Sequence, residues 1–170
     1  MKFKRIVSAL AAAAMSLSMV IPSTAATRFS GSYFGTGFDS YEWGTMEASD
    51  GWSNGGMFNC TWSRDNVTFS GGKMNLSITG NNWQGYKGAE YRTTQTFGYG
   101  MYDVSMKPIK NSGVVSSFFT YTGHSDGTVW DEIDIEFLGK NTTQVQFNYY
   151  TRGQGNHEYV YNLGFDASQS

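Results

Sequence analysis

The feature that most restricts the fold is a period of two. In "WDEIDIEF", residues 130–137, acidic and apolar side chains alternate, and the same rhythm returns in "MYDVSMKP", "TQVQFNYYT" and "HEYVYNLGF". Successive side chains on a strand point to opposite faces, so each segment reads as a strand with one apolar face. "VVSSFFTYTG" is a more continuously apolar strand. "NVTFSGGKMNLSI" reads as two strands about Gly71-Gly72, with Val67 and Phe69 on one and Met74, Leu76 and Ile78 on the other. Gly, Asn and Ser interrupt the strands at about sandwich spacing. Past residue 26 there is no helical period, internal repeat or low-complexity linker. The expectation is an all-β, antiparallel β-sandwich: two packed sheets in one domain, with the stripe Ile133, Ile135 and Phe137 packed into its core.

Residues 1–26 are set apart. "MKFKRIVSALAAAAMSLSMVIPSTAA" has a basic start, an apolar run from Ile6 to Ile21 and small residues at Ser23, Ala25 and Ala26. That is the pattern of a secretory signal peptide cleaved after Ala25 or Ala26. It is short for a membrane span, which needs about 20 apolar residues. The expectation is a secreted, extracellular protein comprising residues 27–170, with no membrane association after cleavage. The chain has 12 basic and 14 acidic residues. Setting aside Lys2, Lys4 and Arg5 leaves nine against 14, a net charge of −5. Nucleic acid and anionic membranes call for basic patches, so both are excluded as expected partners. One cysteine, Cys60, allows no internal disulfide, and no Cys/His cluster suggests zinc. His124 and His157 stand alone and read as surface or loop residues. All five tryptophans fall beyond residue 26. That is more than a core of this size needs, and exposed aromatics that stack on sugar rings introduce carbohydrate as a ligand class.

The acids of "WDEIDIEF" then ask for a reason. On a strand, Trp130, Glu132, Asp134 and Glu136 share one face, opposite the Ile133-Ile135-Phe137 stripe. No Lys or Arg lies within the row. Like charges this close raise one another's pKa values, which does nothing for stability and marks many reactive sites. Glycoside hydrolysis uses such a set: one carboxylate to attack or activate water, one protonated carboxyl for the leaving oxygen. Glu132 and Glu136 suit these roles, with Asp134 between them. Backbones four residues apart on a strand lie about 13 Å apart, whereas retaining carboxyl pairs lie about 5–5.5 Å apart, so the two side chains have to lean together. A calcium site and a solvated acidic face stand beside this reading, although the EF-hand pattern does not fit.

At these residues the chain resembles glycoside hydrolase family 16, and within it the bacterial endo-β-1,3-1,4-glucanases (lichenases). The resemblance is carried by "WDEIDIEFLGK", "NSGVVSSFFTYTG", "TQVQFNYYTRGQGNHE", "SNGGMFNCTW", "GAEYRTTQTFGYGMYDVSMKP" and "LGFDAS". It spans nearly all of residues 30–169. It implies a β-jelly roll with a concave sugar cleft and retaining double displacement. It further implies Glu132 as nucleophile, Glu136 as acid/base and Asp134 as the assisting carboxylate. Asn54, Glu90, Arg92, Phe119, Tyr121, Trp130, Asn148, Tyr150 and Glu158 are implied to line the glucan cleft. The pairs Glu90/Arg92, Phe119/Tyr121 and Asn148/Tyr150 are each two apart, so each pair shares a strand face. The implied partner is mixed-linkage β-glucan, acted on by a monomer, with no cofactor for catalysis. The alternatives are a xyloglucan transglycosylase-like enzyme, whose acids share the i, i+2, i+4 spacing, and a non-catalytic carbohydrate-binding fragment. Laminarinase-like members insert a residue before the last Glu, and this chain does not.

The chain departs from the family pattern in three places. Many bacillar relatives have a cysteine at the position of Gly88, pairing with the one in "FNC", so Cys60 is expected to be an unpaired, buried thiol. Trp52 stands where relatives often have Tyr. The family sequence continues past "LGFDAS" with further strands and a calcium-ligating acid, so the expectation is the N-terminal two-thirds of the domain, with a structural calcium ligand lying in the part beyond. Residues 27–170 alone are then expected to be poorly folded, aggregation-prone and nearly inactive.

Overall fold

The computed structural model describes residues 33–170; the signal-peptide expectation lies outside them. Regular structure among these residues consists of strands and single 3-10 turns. They fall into two compact units, one ending at Phe97 and the other running Gly98–Ser170.

The first unit holds β1 (Met46–Ala48), β2 (Cys60–Trp62), β3 (Val67–Phe69), β4 (Met74–Leu76), β5 (Thr79–Asn81), β6 (Gly85–Gly88) and β7 (Tyr91–Thr93). β1 pairs with β7, and β3 with β4, both antiparallel. The β3–β4 hairpin turns at Gly71 and Gly72, with φ of 58° and 68°. Two successive positive φ values suit glycine and match the twist of a two-residue hairpin. β2 runs parallel to β6, and β5 antiparallel to it, so the expected all-antiparallel pairing has one exception. The core gathers aromatic rings around Tyr91, which meets Tyr41, Phe69 and Phe38 edge-on at 5.2, 5.5 and 6.5 Å, the edge-to-face arrangement such rings favour. Asn66 is buried and donates to the carbonyls of Ser77 (3.1 Å) and Lys87 (2.8 Å), tying the turn before β3 to β6. Cys60 is free and half-buried, less enclosed than expected. A Cβ added to Gly88 would lie 2.6 Å from its Sγ, so glycine leaves room for the thiol.

The second unit is one antiparallel sheet in the order β11-β10-β9-β8. It comprises β8 (Val115–Thr122), β9 (Asp131–Leu138), β10 (Gln144–Tyr150) and β11 (Tyr159–Asn162). Central β9 is the acidic segment, in the strand conformation its alternation predicts. "MYDVSMKP" forms no strand: alternation favours an extended chain, but a ladder also needs a partner backbone. The Ile133 stripe differs from expectation as well. Ile133 is 58% exposed, and across the same face Phe147 and Tyr149 are exposed too. Within this unit no second sheet lies over that face.

Asp166 fastens the end of this unit. Its carboxylate accepts from Lys110 Nζ (2.6 Å), Thr142 Oγ1 (2.5 Å), and the amide (3.1 Å) and hydroxyl (2.7 Å) of Ser168. These donors hold its pKa well below the usual carboxylate range, the Lys110 contact foremost. A depressed folded-state pKa contributes stability above the unfolded pKa of about 3.9, lost as pH falls through the folded value. Asp166→Asn is therefore expected to lower Tm at pH 7, and the gap to the parent should begin to narrow as pH falls below about 3.9. Thermal melts across pH 2–8 check this; a Tm gap that persists unchanged at the acid end contradicts it.

Candidate active site

The register of β9 with its neighbours builds the site. Glu132 lies opposite Tyr121 and Tyr150, Asp134 opposite Phe119 and Asn148, and Glu136 opposite Ser117 and Gln146. Cross-strand partners share a face, so the three acids form a central row flanked by aromatic, amide and hydroxyl side chains. Trp130 closes one end. Its Nε1 donates to Glu132 Oε2 at 2.7 Å, and its indole stacks on Tyr150 with centroids 4.5 Å apart. Gly153, at φ 75°, donates its amide to the Trp130 carbonyl at 2.8 Å. A Cβ at Gly153 would meet the indole at 3.3 Å, so a small residue fits this contact best. Asn148 is buried, its Oδ1 accepting from the amides of Tyr149 and His157. Glu158 adds negative potential that reaches Glu136 and Tyr150.

The electrostatics sort the acids. Asp134 is only 8% exposed, and burial, followed by repulsion from Glu132 and Glu136, pushes its pKa up to about 7. Burial also raises Glu136, against the opposing effect of a 3.0 Å hydrogen bond from Gln146 Nε2. A carboxyl that keeps its proton toward neutral pH is equipped to donate it. Among the described residues no group of three or more His, Cys, Asp or Glu side chains is arranged to hold a metal ion.

This unit brings together Phe119, Tyr121, Trp130, Glu132, Asp134, Glu136, Asn148, Tyr150 and Glu158 of the expected set. Asn54, Glu90 and Arg92 belong to the first unit, with local partners of their own. Glu90 is buried and accepts from Ser49 Oγ at 2.5 Å. Arg92 bridges to Glu47 at 2.7 Å, and its guanidinium lies 5.5 Å above the Trp52 ring. Asn54 accepts from Trp62 Nε1 at 3.4 Å. Sequence reasoning missed Gln146. Its place two residues before Asn148 on β10 puts it on the acid face, which is the signal that would have found it.

Asp134→Asn gives a two-part prediction. A folded pKa raised to about 7 means that stability falls as pH rises from the unfolded value of about 3.9 toward 7. Removing the charge should then raise Tm by a few degrees at pH 8, with little gain at pH 4. The pH–rate profile should likewise lose any inflection near pH 7 that ionisation of Asp134 contributes. Paired melts and rate profiles test both; a Tm gain of equal size at pH 4 and 8 contradicts the assignment.

Three carboxylates aligned between aromatic and amide side chains on one sheet face include the pair of acids that glycoside hydrolysis uses. The matching family model, "Glycosyl hydrolases family 16", covers residues 54–170, and the chain belongs to that family. It is 55% identical over 155 residues to a β-glucanase of Bacillus licheniformis, matching 91% of this chain and 64% of that protein. It is 51% identical over 168 residues to a β-glucanase of Bacillus subtilis (strain 168), matching 98% of this chain and 69% of that one. The chain thus spans about two thirds of the length of these relatives. Among solved structures, the Bacillus licheniformis β-glucanase aligns with TM-score 0.79 and 57% identity, over 84% of this chain and 67% of that one. A prokaryotic β-1,3-1,4-glucanase (lichenase) from a mouse hindgut metagenome aligns with TM-score 0.77 and 61% identity, over 80% and 65%. The expected fold class, an all-β sandwich of the jelly-roll type, is shown by this likeness.

Proposed function

We infer that the protein is a secreted endo-hydrolase of β-1,3-1,4 mixed-linkage glucans acting by retaining double displacement. The observation that carries this reading is the β9 row, with Glu132 held by Trp130 and with Asp134 and Glu136 shifted toward their protonated forms. The sequence match to β-glucanases supports the substrate class.

In the first step the Glu132 carboxylate attacks the anomeric carbon. The bond to the leaving oxygen breaks as Glu136 donates its proton to that oxygen, leaving a glycosyl ester on Glu132. In the second step Glu136, now a carboxylate, takes a proton from water. That water attacks the anomeric carbon from the opposite side and releases Glu132. Two inversions leave the configuration retained. Asp134, neutral below about pH 7, hydrogen-bonds to Glu132 without adding charge. Trp130 and Tyr150 offer a stacked aromatic surface beside the nucleophile, and Asn54, Glu90, Arg92, Phe119, Tyr121, Asn148 and Glu158 serve as the glucan-binding groups.

Product analysis on lichenan, laminarin and xyloglucan tests the substrate. Preference for mixed-linkage glucan is expected; preference for either of the others overturns the lichenase reading, and glycosyl transfer between xyloglucan chains would favour the transglycosylase. Glu136→Ala is expected to cost about 10²–10⁴-fold on polymeric glucan. Aryl glycosides with good leaving groups should be largely spared, because they need little acid assistance. Equal losses on both substrate types would remove Glu136 from the acid/base role.

A further inference from the structure

The first unit carries a second feature suited to sugar, and it contains no carboxylate. Strands β2 and β6 run side by side at the base of an open cleft of about 380 Å³, within the roughly 300–1,000 Å³ range of ligand sites. One wall presents Ser53, Asn59 and Thr61, the other Gln84, Tyr86 and Lys87. Its lining is neutral except for Lys87, and rich in hydroxyl and amide groups. Large apolar side chains stand out from the segments that form the walls. Trp83 is 96% exposed just before Gln84, and Met57 is 90% exposed on the loop between Ser53 and Asn59.

The Trp83 turn is built rather than loose. Asn81 Oδ1 accepts from the amides of Trp83 (2.9 Å) and Gln84 (3.0 Å), while Asn81 Nδ2 donates to Gln84 Oε1 (3.2 Å). The Tyr86 hydroxyl donates to Asn82 Oδ1 at 2.8 Å. An indole held fully in solvent contributes nothing to the core, and keeping one exposed forgoes the stability its burial would give. A pyranose ring has an apolar C–H face, which suits the π-face of an indole, and an equatorial belt of hydroxyls, which suits amides and hydroxyls. A neutral lining disfavours an anionic ligand. The lack of acids limits the cleft to binding.

We propose that this cleft and Trp83 form a non-catalytic docking site for the β-glucan chain. The inference rests on the glucan reading of the acid row, and its test separates the two. The measurement is native affinity electrophoresis of the full chain in gels containing soluble barley β-glucan, dextran or no polysaccharide. It is run in the Glu132→Ala background so that the polymer stays intact. Trp83→Ala is expected to weaken retention by β-glucan about tenfold in apparent Kd, Trp83→Tyr to recover most of it, and dextran to retard neither. Mobility without polysaccharide should be the same for all variants, since the side chain lies outside the core. Retention that is absent, unaffected by Trp83→Ala or equal in dextran overturns the site. Reducing-end release by the chain with Glu132 and Trp83 intact is scored separately. Glucan hydrolysis with Trp83-independent retention removes the docking site and keeps the acid-row reading. Trp83-dependent retention without hydrolysis keeps the docking site, and the acid-row reading is then judged on the C-terminally extended chain.

Discussion

A chimera that joins a C-terminal extension from the Bacillus licheniformis β-glucanase to Ser170 is expected to melt at a higher temperature and cleave glucan faster than the parent chain. The reason lies on the apolar side of the β8–β11 sheet. Ile133, Tyr149, Tyr159 and Tyr161 are each about half exposed or more, and Phe147 is open beside them. Each such side chain brought under a second layer contributes about 1.5–3 kcal/mol, while a whole domain is stable by only about 5–15 kcal/mol. Covering four or five is therefore enough to decide whether the domain folds. β8 and β11, the edges of this sheet, also offer unpaired backbone groups to neighbouring chains. The relative is 55% identical over 155 residues, which make up 64% of its own length. Calorimetry, light scattering and reducing-end assays on the parent and the chimera provide the check. A parent chain that melts cooperatively as a monomer and cleaves lichenan as fast as its relatives would contradict the packing argument.

In that chimera, Glu132→Ala is expected to lower glucan hydrolysis by at least about 1,000-fold, since it removes the group proposed to form the glycosyl intermediate. Removing the carboxylate also frees Trp130 Nε1 from its 2.7 Å partner and opens space on the face from which the nucleophile attacks. Azide can enter that space and displace an activated leaving group directly. A single displacement inverts, so a β-aryl glycoside should yield the α-glycosyl azide. A product of retained configuration, or no rescue at any azide concentration alongside normal turnover of the unsubstituted chimera, would remove Glu132 from the nucleophile's role.

Strand character and the acid row were legible because both depend on local alternation. "WDEIDIEF" permits one division into faces, and β9 follows it. The Gly71-Gly72 hairpin was legible for a related reason: two adjacent glycines leave few other turns available. Pairing was harder to read. Nothing local in "CTW" and "GYKG" specifies that β2 and β6 run parallel, nor in "MYDVSMKP" that it stays unpaired, because partners are chosen by the rest of the chain. Site roles divided in the same way. Glu132, Asp134 and Glu136 follow from spacing. Asn54, Glu90 and Arg92 came from resemblance alone, since loop and short-strand residues carry no periodic signature. The pairing of Gln146 with Glu136 needed the register of β9 and β10, and the Gly153–Trp130 contact the fold of the loop that follows.

The retaining chemistry proposed for the β9 row is tested most directly by proton NMR of the first reducing ends released when the chimera cuts barley β-glucan, recorded before mutarotation mixes the anomers. With Glu132 attacking and Glu136 serving in turn as acid and base, the first-formed signal belongs to the β-anomer, and the α-anomer grows in later at the mutarotation rate. An α-anomer appearing first would mean a single displacement by water, and Glu132 would not be the nucleophile.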